Sequence, residues 1–226
     1  MIEKKNILII AAHPDDEVIG MGGSIKLFAE NQNKVFVLFL STGVGSRNFE
    51  RQPAESRKES ARLALKKLGC SEMYFGDFPD NQFDTVGVLS IAKFIEAHVD
   101  KFQPEIVFTN YYQDLNVDHR IASEATLVAV RPKPNTSVTN LYFYEVSSST
   151  GWKFGSQAFK PSYYIDILNS NLSKQMALKE YQVEMDEFPN ARSVQAIEYL
   201  NRYRGGAVGF TIAEAFEIGF IREKYE

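Results

Sequence analysis

The chain has 226 residues, 25 lysines and arginines, 29 aspartates and glutamates, a formal net charge of -4 and a single cysteine. This length is enough for one sizeable core, and we predict a single domain over residues 1–226. Acids and bases are scattered without a basic stripe, no apolar run approaches the roughly 20 residues of a membrane span, and Cys70 has no cysteine partner. We therefore expect a cytoplasmic protein without a nucleic-acid partner or a membrane span; the sequence leaves the oligomeric state open, with a homo-oligomer among the alternatives.

The first half of the chain alternates apolar strands with helices. The runs "NILIIAA" (6–12) and "KVFVLFLST" (34–42) are continuous and β-branched, as is typical of strands buried on both faces, and "GGSIKLFAENQN" between them suits a helix. A second helix is predicted in "PAESRKESARLALKKLGC", followed by a strand at "EMYFG" and the polar loop "DFPDNQFDT". The helix "VLSIAKFIEAHVDKF", the strand "EIVFTN" and the helix "RIASEATLVAV", which ends before Pro132, come next.

The second half has a looser pattern. We predict strands at "NLYFYEV" and "SYYIDI" and helices around "LSKQMALKEYQ" and "ARSVQAIEYLNRYR", whereas "GFTIAEAFEI" fits a strand or a helix. Strands that alternate with helices indicate an α/β fold. We expect a Rossmann-like three-layer sandwich, with a mostly parallel sheet and helices on both faces.

The stretch "AAHPDDEVIG" places a histidine and three consecutive carboxylates directly after the first predicted strand. In open α/β sheets ligands bind at the carboxyl ends of the strands. Acidic residues at a helix start are stabilised by the helix dipole, but this accounts for one or two of the three carboxylates. A bound cation would relieve their repulsion, and histidine with aspartate forms a donor set that suits catalytic zinc.

A third metal ligand has to come from elsewhere in the chain, and histidine occurs at two further positions. His98 lies inside a predicted helix and away from any strand end, so we interpret it as an ordinary surface or packing histidine and not as a ligand. His119 follows the strand "EIVFTN" through the loop "YYQDLNVDH", which is the same kind of position as that of His13. We predict that His13, Asp16 and His119 hold a metal ion.

Several motifs together resemble a known family. "AHPDDE" with a glycine-rich turn, "DLNVDHR" after a later strand, "ESRKESARLALKKLG", "FPDNQF", "RGG" and "AEAF" are similar to the PIG-L or LmbE-like family of zinc-dependent N-deacetylases. The resemblance spans most of the chain. It implies one zinc ion per chain held by His13, Asp16 and His119, and Asp15 as the general base that activates water.

The sequence departs from the family pattern at one position. Many relatives have a second histidine three residues before the last ligand, where this chain has Asn116. An amide can donate a hydrogen bond to an oxyanion but cannot supply a proton at neutral pH. We expect Asp15 both to take the proton from water and to return it to the leaving nitrogen. Asn116 is a further candidate catalytic residue, and Asp118 is expected to support His119 without touching the metal.

Substrate contacts are predicted at Arg57, Asp80, Trp152 and Arg192, with Glu214 as a further candidate, and the substrate is expected to be an N-acetylated amino sugar or a conjugate of one. The structural alternatives are a solvated helix charge for Arg57, a turn-forming aspartate for Asp80 and a buried aromatic cluster for Trp152. A metal-dependent phosphoesterase and a catalytically silent sugar-binding protein stay open as functions. A dinucleotide site is excluded because "GMGGS" has Ile25 where the third glycine is needed.

Overall fold

The computed structural model describes residues 2–45, 53–155 and 157–223. Within them seven strands form one sheet: β1 Asn6–Ala11, β2 Lys34–Phe39, β3 Glu72–Phe75, β4 Ile106–Asn110, β5 Asn140–Tyr144, β6 Tyr163–Asp166 and β7 Ala213–Ile221. The helices are α1 Asp16–Glu30, α2 Ala54–Leu68, α3 Val88–Phe102, α4 Val117–Val130, α5 Asn171–Leu178 and α6 Val194–Gly206.

The strand order is β3-β2-β1-β4-β5-β7-β6. The first five strands in this order are parallel to one another, and β7 runs antiparallel to both of its neighbours. The predicted mostly parallel α/β sheet is confirmed, and the ambiguous segment "GFTIAEAFEI" contributes to a strand. Strand β1 has β2 on one side and β4 on the other, so the order in which the chain adds strands reverses at β1. Because ligands bind at such a reversal point, a crevice is expected at the carboxyl ends of β1 and β4.

Helices cover both faces of the sheet because the buried strands are apolar on both faces. Ile7 and Ile9 of β1 pack in one core together with residues of α1, α2, α5 and α6. Leu8 and Ile10 pack in a second core with residues of α3 and α4. This arrangement agrees with the expected three-layer sandwich.

The glycines of "GMGGS" allow α1 to pack closely against its neighbours. Close packing therefore explains these glycines without a nucleotide site. A Cβ on Gly20 would lie 2.9 Å from the carbonyl oxygen of Glu145, and a Cβ on Gly23 would lie 2.8 Å from the side chain of Ile167. Among the described residues, no helix is long and apolar enough to cross a membrane.

Candidate active site and metal centre

The residues that follow β1 and β4 are connected directly. Asn110, the last residue of β4, accepts a hydrogen bond from the backbone N–H of Ala12 (3.0 Å) and donates one to Asp16 (3.3 Å). The backbone N–H of His13 donates to the same Asp16 oxygen, Oδ2, at 3.0 Å. Asp16 begins α1, so the short turn between β1 and α1 is fixed against the neighbouring strand. Asn110 was not among the predicted site residues, although its position at a strand end was a usable signal.

Three predicted metal ligands converge at this point. The Nδ1 atom of His13 lies 3.5 Å and the Nε2 atom of His119 3.2 Å from Oδ2 of Asp16. All three side chains are buried, and their ligand atoms lie within 4.8 Å of one another. The structure therefore brings His13, Asp16 and His119 together as a group that could hold a metal ion.

The outer nitrogen of each histidine, which is the ring nitrogen that is not directed at Asp16, contacts a carboxylate. Nε2 of His13 lies 2.9 Å from Asp118 and 3.2 Å from Asp80, and Nδ1 of His119 lies 3.3 Å from Asp114. The expectation that Asp118 supports His119 is therefore wrong. Asp118 lies next to His119 in the first turn of α4, but its side chain turns towards His13, and Asp114 supports His119 instead.

Both supporting carboxylates are themselves held by the loops of the site. Asp118 accepts hydrogen bonds from the backbone N–H groups of Asn81 (2.6 Å) and Phe83 (2.9 Å). Asp114 accepts from the hydroxyl groups of Thr150 (2.6 Å) and Ser149 (3.1 Å). The orientation of the two imidazoles is thus determined by bonds that reach several loops.

Charge in this cluster alters the proton affinity of its members. Burial by itself lowers the pKa of His119, but the carboxylates of Asp16 and Asp114 outweigh it and raise that pKa to about 9. Burial likewise opposes the charged form of His13, yet its bonds to Asp118, Asp16 and Asp80 raise its pKa well above the usual value. Burial raises the pKa of Asp16, whereas the two histidines lower it more strongly, so the net pKa lies below the usual value.

Asp15 has an unusual backbone and an oriented carboxylate. Its φ of 115° and ψ of -29° lie where L residues are rarely found. Oδ2 pairs with the guanidinium group of Arg192 and lies 3.3 Å from Nη2 of Arg57. Oδ1 is buried and has no hydrogen-bond partner among the described residues. One oxygen therefore lies beside two cations, and the other is not used in a hydrogen bond by any described residue.

A cavity of about 300 Å³ opens over this cluster. Eight of its lining residues were predicted as site residues: His13, Asp15, Asp16, Arg57, Asp80, Asn116, His119 and Arg192. Gly43, Asn81, Leu115, Ser148 and Ser149 complete the lining. The segments that follow the five parallel strands β1 to β5 thus line one polar chamber, together with Arg57 of α2 and Arg192.

Asn116 lies at the cavity wall as the N-cap of α4. Its side-chain oxygen accepts from the backbone N–H of Asp118 (2.8 Å), and its amide nitrogen donates to Asn81 (3.1 Å). Because helix α4 begins at Val117, three residues before the predicted start, Asn116 has a capping role that the sequence analysis did not assign.

Two of the suggested substrate contacts lie away from the cavity. Trp152 is 54% exposed and does not line the chamber, so neither the buried cluster nor a contact with a ligand in the cavity describes it. Glu214 is fully buried and pairs with Lys174 at 2.7 Å, which corrects its suggested role. His98 packs on α3 against Tyr74 and Phe94, as expected of a packing histidine.

The chain is similar to proteins that are named as deacetylases. A family profile described as "PIG-L: GlcNAc-PI de-N-acetylase" matches residues 8–130. The "Uncharacterized deacetylase YaiS" of Escherichia coli (strain K12) is 30% identical over 70% of this chain and 82% of that protein. Diacetylchitobiose deacetylase of Thermococcus kodakarensis is 27% identical over 81% of this chain and 71% of that protein.

One relative is named for a different reaction. The 4-oxalmesaconate hydratase of Pseudomonas putida is 30% identical over 56% of this chain and 53% of that protein. Among solved structures, a conserved protein from Thermus thermophilus, TT1542, matches with a TM-score of 0.78 and 23% identity, over 98% of this chain and 97% of that chain. At this identity the structural match supports the common fold.

Proposed function

The chain belongs to the PIG-L family, and on that premise we propose that it is a zinc-dependent hydrolase that removes an N-acetyl group from an amino sugar or from a nucleotide or lipid conjugate of one. The observation that carries the proposal is the Asp15 carboxylate. It faces the chamber beside the candidate metal ligands, with Oδ2 paired to arginine and Oδ1 without a partner among the described residues.

The donor set suits zinc. Two imidazole nitrogens and one carboxylate oxygen are typical of a catalytic zinc site that keeps a position open for a ligand. The outer nitrogens of His13 and His119 lie against carboxylates, an arrangement that fixes the tautomer of a metal-binding imidazole. We therefore assign zinc to His13, Asp16 and His119. When bound, zinc would polarise the acyl carbonyl group and make water more acidic.

Asp15 carries the proton transfers in this proposal. Its free Oδ1 accepts a proton from the attacking water as the new C–O bond forms. Arg192 and Arg57 keep the carboxylate oriented during this step. When the C–N bond breaks, the same carboxyl group returns the proton to the nitrogen, so the products are acetate and a free amine.

Asn116 fits the role of a hydrogen-bond donor. An amide nitrogen carries two hydrogens, and the bond to Asn81 uses one of them. The second would stabilise negative charge on the acyl oxygen as water attacks. The proton for the leaving amine then comes from Asp15, because an amide has none to give at neutral pH.

The substrate class is inferred from the relatives and from the lining of the chamber. The matching family is described by de-N-acetylation of a glucosaminyl lipid, and one relative is named for a diacetylated chitobiose. A chamber lined mainly by polar side chains suits a hydroxylated ring. The phosphoesterase alternative is less well supported, because the second candidate metal group shares His13 and its Asp118 already bonds two backbone amides.

The test is an acetate-release screen of N-acetylated amino sugars, free, nucleotide-linked and lipid-linked, with metal content measured on the same protein. We expect one zinc ion per chain and acetate release from at least one class. Zinc binding without acetate release from any of them would contradict the proposal. It would favour a silent sugar-binding protein or a water-adding enzyme like the hydratase relative.

A further inference from the structure

The peptide unit that joins Pro14 to Asp15 is held from both sides. The guanidinium group of Arg57 donates two hydrogen bonds to the carbonyl oxygen of Pro14, from Nε at 3.1 Å and Nη2 at 2.6 Å. On the other side, Oε2 of Glu17 accepts from the backbone N–H of Asp15 at 3.0 Å. Because a peptide unit is planar, these bonds fix the orientation of the whole plane.

The backbone of Asp15 requires such support. A φ of 115° is unfavourable for a residue with a side chain, and such conformations persist only when the surroundings impose them. If the Pro14–Asp15 peptide rotated, Asp15 would return to an ordinary conformation. Its carboxylate would then leave its position in the lining of the chamber beside the candidate metal ligands.

Glu17 and Arg57, which hold the two sides of this peptide unit, are both contacted by one short segment after α5, residues 181–184. The hydroxyl group of Tyr181 donates to Oε1 of Glu17 at 2.7 Å, and the carboxylate of Glu184 pairs with Nη1 of Arg57. The backbone N–H of Glu184 donates to the carbonyl oxygen of Tyr181 at 2.8 Å, so the two anchors are joined. Arg57, Glu17, Tyr181 and Glu184 are all at most 3% exposed.

We propose that these four side chains form a clamp whose task is to hold Asp15 in its working conformation; this deepens the proposed function and rests on it. In the Asp15 clamp, Tyr181 and Glu184 are positioning residues that act through Glu17 and Arg57. The guanidinium group of Arg57 donates to the carbonyl oxygen of Pro14 and forms ion pairs with Glu184 and Asp15. Arg57 also lines the chamber, and its role as a substrate contact stays a prediction.

Three substitutions separate positioning from general stability. Glu17→Ala removes the acceptor for Asp15, Glu17→Gln keeps an oxygen that can accept the same bond, and Tyr181→Phe removes only the hydroxyl group. The control is Tyr142→Phe, because the Tyr142 side chain is likewise buried and its hydroxyl group accepts a hydrogen bond from Asn140 at 2.9 Å, but away from the cavity. Zinc content and thermal unfolding are measured for every variant.

With an acetylated substrate, we expect Glu17→Ala to lower kcat by about 10- to 100-fold, with KM and zinc content unchanged, because a displaced catalytic group loses rate and not binding. Glu17→Gln should recover most of this loss, Tyr181→Phe should fall in between, and Tyr142→Phe should keep full turnover. Equal kcat for Glu17→Ala and Glu17→Gln would overturn the clamp.

Crystal structures of the wild type, Glu17→Ala and Tyr181→Phe give a readout that does not depend on activity. We expect Asp15 to have a positive φ in the wild type and to lose it in Glu17→Ala, with the peptide plane rotated. A positive φ retained in both variants would refute the clamp. A wild-type enzyme that releases no acetate, but whose Asp15 backbone responds in this way, would contradict the proposed function and leave the clamp standing.

Discussion

At the residue scale, the proposed chemistry depends on the basicity of Asp15 and not on its size. Asp15→Asn keeps the shape of the side chain but removes its ability to take a proton. We expect zinc content to be unchanged and kcat to fall by about 10²- to 10⁴-fold, the usual worth of a positioned proton transfer. Acetate release and elemental analysis provide the measurements. Asp84→Asn, an exposed carboxylate on a neighbouring loop, is the matched control, and full turnover of Asp15→Asn would end the assignment.

Cys70 gives a second prediction at this scale. Burial raises the pKa of its thiol to about 12, and Sγ lies 3.2 Å from the carbonyl oxygen of Val35. Alkylation requires the thiolate, so at pH 8 we expect iodoacetamide to react about 10³-fold more slowly than with an ordinary thiol. Denaturant should restore the normal rate. Alkylation of the native protein at the rate of free cysteine would contradict this interpretation.

At the element scale, α1 is interrupted, and a buried ion pair supports the interruption. Met21 has φ of -150° and ψ of 24° inside the helix. Glu214 accepts from the backbone N–H groups of Gly23 (2.9 Å) and Ser24 (2.7 Å), and Lys174 donates to the carbonyl oxygen of Ile19 at 2.8 Å. Backbone groups that the irregular helix leaves without a partner are thereby satisfied. The first half of α1, which carries Asp16, is held in place by this pair.

Lys174→Met tests the support of α1. The substitution leaves the Glu214 carboxylate buried without its cation, and we expect it to lower the free energy of unfolding by about 3–5 kcal/mol. Lys67→Met is the control, since Lys67 pairs with Glu180 at 3.3 Å near the surface, where an ion pair contributes about 0–1 kcal/mol. Urea unfolding measures both. Equal losses for the two variants would show that the buried pair has no special role.

Single elements could be predicted where the signal is local. Helix α3 occupies the predicted residues, Val88–Phe102, because its apolar periodicity is strong. Helix α4 begins earlier than predicted, although Asn116 was a readable N-cap. The segment that forms β7 stayed ambiguous because a short apolar run fits a strand or a helix until its neighbours in the sheet are known.

At the scale of the whole molecule, the alternation of strands and helices was enough to predict the sheet and the edge at which the site lies. It was also enough to predict that His13, Asp16 and His119 lie close together, since each follows or flanks a strand end. The role of Glu214 and the partner of Asp118 could not be predicted. They depend on contacts between Glu214 and Lys174, and between Asp118 and His13, which only the packed structure specifies.

Zinc uptake by the whole protein should release protons. The carboxylates around His119 outweigh its burial and raise its pKa to about 9, and those around His13 also raise its pKa, so both imidazoles hold a proton more tightly than free histidine, whereas zinc binds neutral imidazole. We expect protons to be released at pH 7 and fewer above pH 9, so that the apparent affinity for zinc rises with pH between these values. Zinc at about 100 times its Kd should stabilise the fold by about 2.7 kcal/mol, and a chelator should reverse this.

Calorimetric titration in two buffers of different ionisation enthalpy counts the released protons, and thermal unfolding with and without chelator measures the stabilisation. His98→Ala, remote from the cavity, should behave as the wild type, and His119→Ala should lose both effects. Tight zinc binding at pH 7 without proton release would mean that the two histidines are already neutral, and the influence that we assign to Asp16, Asp114 and Asp118 would be wrong. Proton release in the expected range would support a metal centre whose outer carboxylates hold the histidines in place and make zinc compete with protons for them.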